Sequence, residues 1–178
     1  MIRAAFFAMS LIALPAAAAD FCALGATGSP DQLAGNWQAL MSGGILVGTD
    51  GKPHALPPDD QPQALVFAAD GTNLMLAADA FFPAVKMAKA PGTKDFALPG
   101  ESPLEPAELL QPEVSKLSLA CDPATLPRFF AQMPMDAGAL STFDIFALSP
   151  EDMVLVVKGE GQGQMARAVF DLHRVPKP

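Results

Sequence analysis

The stretch Met165-Ala166-Arg167-Ala168-Val169-Phe170-Asp171-Leu172-His173-Arg174-Val175 decides how this chain is read. Successive side chains of a β-strand point to opposite sides. Ala166, Ala168, Phe170, Leu172 and Arg174 therefore share one face, and Arg167, Asp171 and His173 share the other. The first face is apolar except at its very end, where Arg174 stands. That alternation is the signature of a half-buried strand. Residues 142–148 and 153–158 read as two further strands immediately before it. They are separated by Ser149-Pro150-Glu151-Asp152 and followed by the glycine-rich turn 159–163.

Working outward, residues 63–67 and 73–77 are apolar-rich runs joined by Asp70-Gly71, a strong hairpin signal. Thr49-Asp50-Gly51-Lys52 is a second turn of the same chemistry. Residues 116–120 read as a short strand, and 128–133 as another unless Asp122-Pro123 caps a helix there. Between 80 and 115 prolines recur at Pro83, Pro91, Pro99, Pro103, Pro106 and Pro112. Proline cannot donate a ladder hydrogen bond, so this stretch is expected to hold edge strands, loops and a helical turn near 105–110, with no set of central strands. It reads as an irregular insertion within one domain, because the flanking halves are each too small to fold alone.

The beginning of the domain supplies a partner for Arg174. Gly35-Asn36-Trp37 lies at the start of the first strand, after a short N-terminal arm. Gly-x-Trp in that place, with an Arg at the end of the last strand, resembles the lipocalin-like (calycin) family. The resemblance implies an all-β, antiparallel up-and-down barrel. Trp37 would close one barrel end and Arg174 would pack over the indole, a cation–π contact worth roughly 0.5–2 kcal/mol. With an even number of strands, the start of the first and the end of the last meet at one barrel end. The resemblance covers the two ends of the domain; the proline-rich middle departs from it.

The first 19 residues have the three parts of a secretory signal. Arg3 supplies the charge, residues 4–14 an apolar run interrupted only by Ser10, and residues 16–19 small side chains before Asp20. The run is shorter than the roughly 20 residues that span a bilayer. Asp20 and Phe21 do not suit a lipoprotein peptidase, so Cys22 is not read as a lipid attachment site. Cleavage before Asp20 would leave 159 of the 178 residues, a single domain at 20–178. The expected destination is periplasmic or secreted, and the mature protein is expected to be soluble. In an oxidising compartment Cys22 and Cys121 are expected to pair. The closed loop would be about 100 residues, worth at most about 4.7 kcal/mol by chain entropy. Loss of Arg3 leaves 10 basic against 19 acidic residues, which argues against nucleic-acid binding.

No catalytic set can be assembled. His54 lies among prolines, and His173 stands on the polar face of the last strand; neither has metal-ligand spacing to a second ligand. Asp59-Asp60 and Glu151-Asp152 sit in turn contexts. Gly159, Gly161 and Gly163 link two strands and precede no helix, so they do not form a phosphate loop. Met133-Pro134-Met135, with Met41, Met75, Met87, Met153 and Met165, offers soft thioethers that suit Cu(I), yet methionine in apolar strands is also a core filler. No metal or cofactor is assigned. Two functions follow from the barrel. In one it holds a small apolar ligand, with Phe67, Leu74, Leu76, Phe143, Ile145 and Phe170 as wall residues. In the other the barrel is filled and the protein is an interaction or inhibitor module, with 80–115 as its contact loop.

Overall fold

The computed structural model describes residues 28–78, 82–91, 125–135 and 138–176. The leader expected at 1–19, Cys22, Cys121, the strand expected at 116–120 and the prolines from Pro99 to Pro112 lie outside the described residues. A four-residue helix, α1 (Pro30–Leu33), precedes β1 (Gly35–Val47), β2 (Pro53–Leu56), β3 (Asp59–Asp70), β4 (Asn73–Leu76) and β5 (Val85–Ala90). These are followed by β6 (Arg128–Pro134), β7 (Leu140–Ala147), β8 (Asp152–Gly161) and β9 (Gln164–Arg174). Every pairing is antiparallel, in the order β2-β1-β3-β4-β5-β6-β7-β8-β9, and β1 also pairs with β9. Eight strands thus close into an up-and-down barrel, and β2 is an extra strand.

The turns follow from the local sequence. The β3–β4 loop is Gly71-Thr72, with Gly71 at φ +61°. The β8–β9 loop is Gln162-Gly163, with φ +52° and +73° at its two residues. Positive φ at such positions matches the right-handed twist of the flanking strands. The chain also reverses at 48–52, and β2 and β3 then lie along the same edge of β1. Pro57-Pro58 separates them because neither residue can donate to the ladder. His54, expected in a loop, stands exposed in β2.

Two expectations about strands are corrected. Residues 85–90 lie between Pro83 and Pro91, yet β5 is a wall strand paired on both sides, to β4 and to β6. The prolines flank it and leave its own N–H groups free to pair, so they delimit a central strand instead of excluding one. The glycine-rich run 159–163 is mostly strand: β8 continues to Gly161, and only Gln162-Gly163 turns.

The main core fills the barrel at the end where β1 begins and β9 finishes. Trp37, Leu65, Leu74, Leu76, Met87, Phe129, Ile145, Leu155 and Leu172 belong to one cluster and are almost wholly buried. Alternation along β9 has the expected parity but the burial does not follow it throughout. Leu172 and Phe170 are buried on the inward face. Two positions further up the same face, Ala168 is half-buried and Ala166 is exposed. Across the wall, Arg167 is only 4% exposed and Val169 is buried. The face that carries Arg167, Asp171 and His173 is therefore covered near its middle. It carries a second apolar cluster, formed by Leu126, Phe146, Val154, Val156 and Val169.

Candidate functional site

The closed barrel end is built around Trp37. Its indole N–H donates to the Leu33 carbonyl at 2.9 Å, which fixes α1 beneath the barrel. Pro30 starts α1, where a missing N–H costs nothing. The register places Trp37 opposite Arg174 across β1 and β9. The Arg174 guanidinium carbon lies 4.7 Å from the indole ring centroid. Its Nε donates to the Pro150 carbonyl at 2.7 Å, its Nη1 to the Ala34 carbonyl at 2.9 Å, and its Nη2 to the Gln32 carbonyl. One side chain thus satisfies carbonyls at the end of α1 and in the β7–β8 turn. Gly35 makes room for this. Its φ of +145° disfavours any L side chain, and an added Cβ would stand 2.8 Å from Arg174 Nη1.

The other end is built differently. β1 carries a bulge between Met41 and Gly43, and Ser42 donates from its hydroxyl to the Val169 carbonyl at 3.2 Å. The bulge shifts the inward-facing set from Trp37, Ala39 and Met41 to Gly44 and Leu46. Gly44 is needed because a Cβ there would lie 2.2 Å from the Arg167 carbonyl oxygen. Register pairs Leu46 with Ala166, Ala166 with Gly159, and Gly159 with Ser141. Inward side chains at this end are therefore small or absent over β7, β8 and β9. They leave a cavity of about 350 Å³, lined by Leu46, Met135, Ala139, Ser141, Gly159, Gly161, Gln164 and Ala166 among others. Leu46 and Met135 at its margin are exposed apolar side chains, Met135 at 44%. Below the cavity Met41, Ala131, Met133, Val157 and Ala168 are only half-buried, though they pack on the core.

The six proposed wall residues all belong to the main core cluster. Phe143 and Phe170 meet Phe82, which enters from the β4–β5 connection. The ring centroids are 6.1 Å and 5.7 Å apart, and both pairs are edge-to-face. Phe67 packs edge-to-face on Trp37 at 6.4 Å. Leu74, Leu76 and Ile145 are fully enclosed. The cavity-lining residues were not legible as a site, although small residues on the inward faces of β8 and β9 (Gly159, Gly161 and Ala166) carried the signal. Gln63 pairs with inward-facing Ala39, and its Oε1 is buried with no hydrogen-bond partner among the described residues.

On the outer wall, Arg128 grips Asp144 with two 2.7 Å hydrogen bonds, Nε to Oδ1 and Nη2 to Oδ2. Its guanidinium also lies over the Phe130 and Phe146 rings, at 5.3 Å and 5.6 Å. Burial raises the Asp144 carboxyl above its ordinary range. The opposing pulls, the Arg128 hydrogen bond and the charges of Arg128 and Arg167, are weaker. His173 is exposed and contacts Asp152 at 2.7 Å. Met41, Met75, Met87, Met153 and Met165 stand on five different strands. Among the described residues no three His, Cys, Asp or Glu side chains come together to hold a metal ion, and no helix is long and apolar enough to cross a membrane. No protein-family model, curated protein or solved structure matches this chain.

Proposed function

We propose that this chain is an exported, lipocalin-like barrel that binds a small apolar ligand at its open end. The observation that carries the reading is the change of inward side chains along the barrel. They are bulky and packed from Trp37 to Phe170, then small from Ala168 upward, where the cavity of about 350 Å³ opens. Eight-stranded barrels have interiors just wide enough to be filled or to hold one small ligand. This volume is at the lower end of the range for ligand pockets. The exposed Leu46 and Met135 give an apolar margin, Ser141, Gln162 and Gln164 give neutral hydrogen-bonding groups, and Glu160 adds one carboxylate to the lining. The Trp37–Arg174 contact agrees with the lipocalin-like reading, and the leader at 1–19 supports export with a Cys22–Cys121 bridge.

The filled lower half favours a second reading, a barrel that acts through its surface as a periplasmic interaction or inhibitor module. Native mass spectrometry of the protein purified from the periplasm separates the two. The ligand reading expects a retained adduct that is lost on acid unfolding and re-formed on adding it back. A clean apo mass, together with no heat of binding for any apolar probe, favours the filled module.

A further inference from the structure

We propose that the cavity at the open end selects ligands with an uncharged hydrogen-bonding head, such as an alcohol or amide, and that the Ser141 hydroxyl holds that head. The inference rests on the ligand-binding reading above and names the chemistry its ligand must have. The lining contains no Lys, Arg or His side chain, and its one ionisable residue is Glu160. The Glu160 carboxylate is already engaged by Lys158 Nζ at 2.5 Å. A ligand carboxylate would therefore enter with no cation in the lining to meet it, in a chain whose formal net charge is −8. A ligand ammonium would find the carboxylate of the lining taken. A charge removed from water without a partner is costly, so either ion is penalised relative to a neutral head.

The polar groups that remain are neutral: the Ser141 hydroxyl and the carboxamides of Gln162 and Gln164. The two glutamines are exposed, whereas Ser141 is half-buried. Its position on β7 has the inward parity of Phe143 and Ile145. Across the ladder it pairs with Gly159. A Cβ added at Gly159 would lie 3.7 Å from Ser141 Oγ, so the absent side chain leaves space beside the hydroxyl. Among the described residues none forms a hydrogen bond with that hydroxyl. A serine hydroxyl has one donor and two acceptor sites, so it can serve a neutral head of either kind. Leu46 and Met135 then border the alkyl part of the ligand.

The test is calorimetric titration of the protein purified from the periplasm with three probes of one chain length at neutral pH: octan-1-ol, octanoate and octylammonium. Octan-1-ol should bind at least about tenfold more tightly than either ion. Ser141→Ala should weaken octan-1-ol by about threefold to tenfold and change octanoate little. Gly159→Ala sets a methyl group against the hydroxyl at an ordinary contact distance, and should weaken octan-1-ol to a similar extent. It also covers the case in which the serine variant does not fold; circular dichroism establishes folding for each. Octanoate or octylammonium binding as tightly as octan-1-ol would overturn the selection for a neutral head. An unchanged octan-1-ol affinity in a folded variant would overturn the role of Ser141 and leave ligand binding standing. Absence of binding of all three probes to the wild type would end the ligand reading itself, and this inference with it.

Discussion

The lower and upper halves of β1 and β9 are one continuous pair of strands with opposite burial. In the lower half the inward residues Trp37, Ala39, Phe170 and Leu172 are buried, and their outward neighbours Asn36, Gln38 and His173 are exposed. In the upper half Leu46 and Ala166 face inward and are exposed. Ile45, Val47 and Met165 face outward and form a buried apolar cluster of their own. The same alternation of side chains serves both halves. What changes is which side of the wall is covered. Among the described residues, a barrel that is packed below and holds a cavity above has separated the task of holding itself together from the task of leaving room.

If that separation is real, damage below should cost stability and damage above should cost binding. The largest effect is expected for Trp37→Ala. It removes a fully buried side chain and the partner of Arg174, and should lower stability by about 3–5 kcal/mol in urea unfolding. Arg174→Lys keeps the charge but loses the fork that reaches three carbonyls. It should cost about 1–2 kcal/mol and loosen the start of β1, seen as faster amide exchange there. A neutral outcome for this variant would show that the seal is packing alone. Ala166→Leu fills the upper cavity from a position that is already exposed. Stability should change by less than about 1 kcal/mol, while the retained mass adduct disappears. If the adduct persists in this variant, its site lies elsewhere.

The outer wall supplies the smallest and most specific test. The folded protein holds the Asp144 proton more tightly than the unfolded chain, whose Asp carboxyls titrate near about 3.9. The native state therefore binds more protons in the window just above that value, and this carboxyl makes stability fall as pH rises through it. Asp144→Asn should flatten that part of the stability–pH curve, whatever it does to the absolute value. An unchanged slope would mean that the Arg128 grip offsets the burial after all.

Much of the wall was legible from sequence. Alternation placed β7, β8 and β9 to within a few residues, and Asp70-Gly71 identified the β3–β4 hairpin. Both signals are local, resting on period-two side-chain direction and on the φ that a tight turn demands. Position 35 was recognisable as part of Gly-x-Trp. Its physical reason, the closeness of Arg174 Nη1, depends on a residue 139 positions later in the chain. β5 is hidden in the sequence because prolines at its flanks, Pro83 and Pro91, give the same compositional signal as prolines in a strand interior. The cavity was hidden because small residues on a strand face look the same whether a neighbour fills the gap or nothing does.

Local chemistry therefore settles the strand directions, the turns and the acidic balance, since each depends on residues adjacent in the chain. Closure of β1 on β9, the meeting of Trp37 with Arg174, and the inversion of burial near Val169 depend on which distant strands cover which face. So does the arrival of Phe82 from across the barrel. Side-chain alternation says that a strand has two sides; only packing against the rest of the chain says which side is dry.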